Sequence, residues 1–144
     1  MTSKRRDEHS TEFGLWLREQ PEIDSALGYI ATNIDYHWMN YKTGQWLLIE
    51  EKRHRRLPGW VQVEQYKIMD AAARSDAQYH GFHVLVFENT SPDDGEIWLD
   101  GRYISTADLF DFLGFSKPKS WYTSYYPGRG HTMIAYAPGK GCER

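Results

Sequence analysis

The richest stretch of strand formers lies in the first third of the chain. Residues 34–41 (Ile-Asp-Tyr-His-Trp-Met-Asn-Tyr) and 45–53 (Gln-Trp-Leu-Leu-Ile-Glu-Glu-Lys-Arg) are separated by Lys42-Thr43-Gly44, which suits a tight turn. Together they predict an antiparallel hairpin. Upstream, Phe13, Trp16, Leu17 and Gln20 recur at helical spacing behind Thr11, and Pro21 ends the pattern. Residues 26–31 read as a first strand or the lead into one. From 60 to about 77 no Gly or Pro intervenes, and Val61, Gln65, Ile68, Met69 and Ala72 share one helical face. Gly81 then releases residues 82–88, an apolar run of the kind found in a strand buried on both faces. Pro92-Asp93-Asp94-Gly95 makes a turn, residues 96–99 are extended, and Asp100-Gly101 turns again. Ser105 starts a helix carrying Leu109, Phe110, Phe112 and Leu113, with Gly114 as its stop. Residues 132–136 read as a last short strand.

The order helix, strand, strand, strand, helix, strand predicts a mixed α/β domain around a small central sheet. Residues 1–10, charged and without periodicity, read as a frayed terminus. The core is expected over 11–114, and residues 115–144, rich in Gly, Pro, Tyr and Lys/Arg, as a C-terminal extension. At 144 residues the chain fits one domain, and its 15% aromatic content argues against general disorder. No apolar run reaches the roughly 18–20 residues of a membrane span, so no membrane partner is expected. One cysteine, Cys142, excludes an internal disulfide framework and favours a cytoplasmic location. With 17 Lys plus Arg against 20 Asp plus Glu, the net charge of −3 argues against a strongly basic nucleic-acid coat but leaves room for local basic patches.

The chemistry concentrates at the end of the second hairpin strand. Alternation turns Leu48, Glu50 and Lys52 to one face and Leu47, Ile49 and Glu51 to the other. A carboxylate and an ammonium thus stand side by side at a strand end, near Asp35 at the start of the partner strand. Two carboxylates meeting at a sheet edge suit Mg²⁺, which keeps several waters and takes one or two protein carboxylates. A lysine beside such a cation can orient the attacking water and stabilise charge growing on a phosphate. An acidic-x-Lys triplet arises by chance about once per ~140 residues. Its position therefore carries the argument, and a solvated ion pair at a strand end is the alternative reading.

Asp35, fourteen intervening residues, then Glu50-Glu51-Lys52 resembles the motif of the PD-(D/E)XK nuclease superfamily. The expected element order is similar to that superfamily's αβββαβ core. Gln62-Val63-Glu64-Gln65-Tyr66 resembles the Gln-x-x-x-Tyr motif of its RecB-like branch. The resemblance spans residues 11–90, and Ile34 stands where proline commonly precedes the aspartate. It implies a single restriction-endonuclease-like domain, a central mixed sheet flanked by helices, and Mg²⁺- or Mn²⁺-dependent hydrolysis of DNA. Asp35 and Glu50 would hold the metal with the carbonyl of Glu51, and Lys52 would position the water. Gln62 would line the site, with Tyr66 one turn on. A first-helix glutamate, Glu12 or Glu19, would join them; Glu12 is preferred because it shares a helical stripe with Trp16.

Arg53-His54-Arg55-Arg56 follows Lys52 directly, and Arg53, Arg55 and Arg56 are expected to grip a phosphate backbone. Lys117, Lys119, Arg129 and Lys140, interleaved with Trp121, Tyr122, Tyr125 and Tyr126, suit either nucleic-acid contact or packing over the sheet. His80 and His83 lack the partners of a zinc site, and His37 is expected to be structural. The leading expectation is a stand-alone endonuclease, suited to a mobile element, with DNA as partner and a homodimer as one way to cut both strands. The alternative is a catalytically inactive module of the same fold that binds nucleic acid or a protein.

Overall fold

The computed structural model describes residues 11–123. The chain divides into two compact units at Asn33/Ile34. In the first, α1 (Glu12–Arg18) begins at Thr11, whose hydroxyl accepts the Gly14 amide at 3.0 Å. Two 3₁₀ turns follow, Pro21–Ile23 and Ser25–Leu27. The strand expected over 26–31 does not form. Asp24 caps the second turn through the Ala26 amide, and Gly28 closes it at φ 104°, so local capping wins over the weak strand pattern. With it goes the αβββαβ order: two strands, not three, precede the next helix.

The second unit is a five-stranded mixed sheet of β1 (Tyr36–Met39), β2 (Trp46–Lys52), β3 (Tyr79–Phe87), β4 (Ile97–Leu99) and β5 (Arg102–Ile104), in that spatial order. β2 and β3 are parallel, and the other neighbours are antiparallel. The β1–β2 hairpin turns where expected. The Asn40 side chain accepts the Lys42 amide at 2.9 Å, and Gly44 sits at φ 85°. A parallel pair cannot be joined by a tight turn, and α2 (Trp60–Ala73) makes the crossover from β2 to β3. β3 starts earlier than its apolar run, at Tyr79, and passes through Gly81 at a register irregularity. There φ is 103°, a backbone that a side chain resists. Every residue of β3 is buried, as a strand covered on both faces requires.

The covers are two layers of helix. Leu48, Phe82, Val84, Val86 and Trp98 pack under Tyr66 of α2. Leu47, Ile49, Leu85, Phe87 and Leu99 pack against α3 (Thr106–Leu113) and Tyr122 of α4 (Lys119–Thr123). α3 starts at Ser105, whose hydroxyl takes the Asp108 amide at 3.0 Å, and ends at Gly114, both as expected. β5 and α4 were not foreseen. The α2 face also departs from expectation: Val63, Tyr66 and Asp70 are buried, whereas Ile68 is 69% exposed. The buried polar ends compensate. Asp70 accepts Tyr79's hydroxyl at 2.7 Å and Arg74's guanidinium at 3.0 Å. Hydropathy alone misreads a helix whose inner face carries a satisfied, buried carboxylate.

A second buried network closes the far side. His83 sets Nδ1 2.8 Å from Asp100 Oδ2 and Nε2 2.7 Å from the His80 carbonyl. Asp100 Oδ1 takes the Val84 amide at 2.8 Å. Asp100 and Gly101 both have positive φ, the requirement of a two-residue type I′ hairpin, so one aspartate serves turn and core together.

Candidate active site

β2 brings Glu50 and Lys52 to the face covered by α2, as alternation requires. β1 and β2 pair Tyr36 with Ile49 and His37 with Leu48. Asp35 directly precedes β1, one residue beyond the last paired rung, at the edge where Glu50 and Glu51 lie. The ladder ends there in an unusual rung: the Glu51 amide donates to Asp35 Oδ2 at 2.8 Å, a side-chain carboxylate taking the place of a strand carbonyl. That bond fixes Asp35 against β2. Glu51's own carboxylate faces the other way, accepting Tyr36's hydroxyl at 3.3 Å and lying 3.8 Å from Arg53.

From above, α2 presents Gln62 and Tyr66 one turn apart, the i, i+4 spacing that puts two side chains on one stripe. Gln62 Oε1 accepts both the Lys52 ammonium at 3.1 Å and the Gly59 amide at 3.2 Å. One oxygen thus caps the helix start and orients the lysine. Lys52 Nζ also lies 3.8 Å from Glu50 Oε2. The sequence-predicted set Asp35, Glu50, Lys52, Gln62 and Tyr66 therefore gathers on one side of the sheet. Glu12, in the first turn of α1, and Glu19, at its C-cap, belong to the N-terminal unit.

The electrostatics of this cluster centre on Glu50, which is 5% exposed. Burial pushes its carboxyl up to about 7, and the charge of Asp35 adds to the rise. Lys52, the Asp35 amide and the Tyr66 hydroxyl pull the other way without cancelling it. Burial and the nearby Glu50 carboxylate push the Tyr66 hydroxyl above its usual range. The two groups feel each other, yet both Glu50 Oε1 and the Tyr66 oxygen are buried without a properly formed hydrogen bond. A buried carboxylate oxygen lacking a partner costs stability. It is also what an oxygen-seeking cation would satisfy. Among the described residues no three His, Cys, Asp or Glu side chains cluster to hold a metal ion. A cation here would rest on the Asp35 and Glu50 carboxylates and a backbone carbonyl, which is enough for Mg²⁺ with its retained waters.

The basic loop after Lys52 divides. Arg53 and Arg56 are exposed. Arg55 is half-exposed and engaged, its Nη2 2.6 Å from Glu88 Oε2 and its guanidinium 6.0 Å from the Trp98 ring centre. His54 and Arg55 hold φ values of 58° and 60°, left-handed backbone that costs a non-glycine residue about 1–2 kcal/mol each. The partner, Glu88, was missed in the sequence. The parallel register, which pairs Lys52 with Val86, would have set it near Arg55.

The remaining candidates have other work. Lys119 donates to the Ala77 carbonyl at 2.5 Å, and Lys117 lies 3.9 Å from Asp111 and over the Trp121 ring. Tyr122 is wholly buried among Phe112, Phe115 and His83, and Trp121 packs against the same cluster, so these two aromatics extend the core past residue 114. His37 is exposed and stacks on Trp46 with ring centres 4.8 Å apart. Tyr125, Tyr126, Arg129, Lys140 and the strand expected over 132–136 lie outside the described residues. Among the described residues no helix is long and apolar enough to cross a membrane. Known proteins offer no guide to this site: no family model matches the chain, and no curated protein or solved structure matches it.

Proposed function

We propose that this protein is a divalent-metal-dependent nuclease of the PD-(D/E)XK type, hydrolysing phosphodiester bonds of DNA. One observation carries the reading. A buried glutamate with an unpartnered oxygen and a carboxyl raised to about 7 feels the charge of a second carboxylate, Asp35, and stands 3.8 Å from a largely buried lysine. A cluster so costly to fold is typical of a site kept for chemistry. Asp35 and Glu50, with the Glu51 carbonyl, would hold Mg²⁺ or Mn²⁺. When bound, the cation supplies charge neutralisation at the phosphate and a more acidic water.

The chain's own residues supply the rest. Glu50 must lose its proton to bind the cation, and the neighbouring ammonium favours that loss. Lys52, held by Gln62, aims its ammonium where negative charge grows on the phosphate, the role in which a fixed cation is worth most. The Gln62 bond keeps the lysine from collapsing onto Glu50. Arg53 and Arg56 would hold the flanking backbone. The test is incubation of purified protein with linear, circular and single-stranded DNA in Mg²⁺, Mn²⁺ or EDTA. Cleavage should require metal, and Lys52→Ala should lower it by about 10²–10⁴-fold. If wild-type protein binds DNA and never cuts it, the non-catalytic module of the same fold replaces this reading. If Lys52→Ala cuts as well as wild type, the site assignment is wrong.

A further inference from the structure

We propose that Arg55 is a positioning residue whose bridge to Glu88 latches the loop after Lys52, so that Arg53 and Arg56 meet a phosphate backbone preformed. The inference rests on the nucleic-acid reading above and changes the part played by one arginine in it. Three observations support it. Arg55's guanidinium is already engaged, 2.6 Å from Glu88 Oε2 and 6.0 Å from the Trp98 ring centre, so its charge has a partner before any phosphate arrives. The backbone at His54 and Arg55 is left-handed at two successive non-glycine residues, a conformation that persists only where its surroundings impose it. Two main-chain bonds do so, His54 N to the Asn89 carbonyl and Arg55 N to the Phe87 carbonyl, each 2.9 Å.

Glu88 is itself fixed. Its Oε1 accepts the Glu96 amide at 3.0 Å, and that amide, with Arg55, holds its carboxyl below the usual range. A Cβ at Gly95 would come within 2.8 Å of Glu88 Cβ, so the bracket has no room for a side chain there. Its carboxylate thus joins the loop after β2 to the loop after β3, and Arg55 is the connecting piece.

The latch and plain electrostatics predict opposite signs for Glu88→Gln. Removing a negative charge near a polyanion should tighten binding, whereas releasing the loop should weaken it, because the two contacting arginines must then be ordered on binding. We expect Glu88→Gln to weaken binding of a fluorescein-labelled DNA duplex, in EDTA, by about three- to tenfold. The slope of log affinity against log salt should stay that of wild type. Arg55→Lys, which keeps the charge, should behave the same way. Arg53→Ala and Arg56→Ala should each flatten the slope by roughly 0.7–0.9. Without DNA, hydrogen exchange at the His54 and Arg55 amides should quicken in Glu88→Gln.

Tighter or unchanged binding by Glu88→Gln, or a slope flattened by Arg55→Lys, overturns the positioning role. Unchanged exchange overturns the latch whatever the protein binds. Wild-type protein that binds no nucleic acid, with exchange still quickened in the variant, overturns the nuclease reading and the positioning role with it.

Discussion

Replacing Glu50 by Gln should stabilise the metal-free protein, and chiefly at neutral to alkaline pH. The folded carboxyl titrates at about 7, against an ordinary value of 4.5. Between those values the folded state holds a proton that the unfolded chain has lost, so stability falls as pH rises through the window. At about 1.36 kcal/mol per pKa unit, the whole fall is about 3 kcal/mol, complete above pH ~8 and absent below pH ~4. The protonated acid and the amide are close in shape and both neutral. Lys52 therefore keeps the same surroundings in each, and the variant should lack only the titration. Urea denaturation followed by tryptophan fluorescence, in EDTA at pH 5 and pH 8, measures this directly. Glu50→Gln should exceed wild type by about 1 kcal/mol or less at pH 5 and by up to about 3 kcal/mol at pH 8. Mg²⁺ at pH 8 should then stabilise wild type by mass action and leave the variant unmoved. A difference between the two proteins that does not change with pH would refute the account of Glu50 as a strained carboxylate.

Further outcomes follow from the same geometry. Asp35→Asn keeps an oxygen for the Glu51 amide, so the fold should survive while metal affinity and cleavage both fall, measured by calorimetry and by DNA cutting. Mn²⁺ affinity should drop about tenfold per pH unit below pH ~7, because Glu50 must release a proton to bind; titration calorimetry in buffers of different ionisation enthalpy should count that proton. Asp100→Ala should destabilise the protein by about 3–5 kcal/mol in urea, since it leaves His83 buried with Nδ1 facing no partner. A loss below about 1 kcal/mol would show that the buried pair contributes little.

How much of this was legible in the chain depends on whether a feature is written locally. The β1–β2 hairpin was, because strand formers flank a turn with a glycine at positive φ. So was the placing of Glu50 and Lys52 on one face of β2, because strand alternation is arithmetic once the strand is known. The α2 face was not. Its inward residues are chosen by what they meet, and Tyr66 and Asp70 meet Glu50 and Tyr79 from distant parts of the chain. Hydropathy ranks Ile68 above both and is wrong for that reason. The strand expected over 26–31 failed in the opposite way, where local capping by Asp24 and Gly28 outweighed a short apolar run.

Arg55 carries that distinction into function. In the sequence it is indistinguishable from Arg53 and Arg56, three arginines in a basic loop after a lysine. The fold separates them through Glu88, thirty-three residues away, which reaches Arg55 because β2 and β3 run parallel. A parallel crossover brings the ends of two strands together at the same edge, so the loops that follow them meet. In this protein that meeting lies directly after Lys52. The residue that closes the bridge pairs its charge with Glu88, while the two on either side stay exposed. If the loop binds a phosphate backbone as proposed, a charge count overstates its grip by one, and the salt slope is the measurement in which that arginine should be missing.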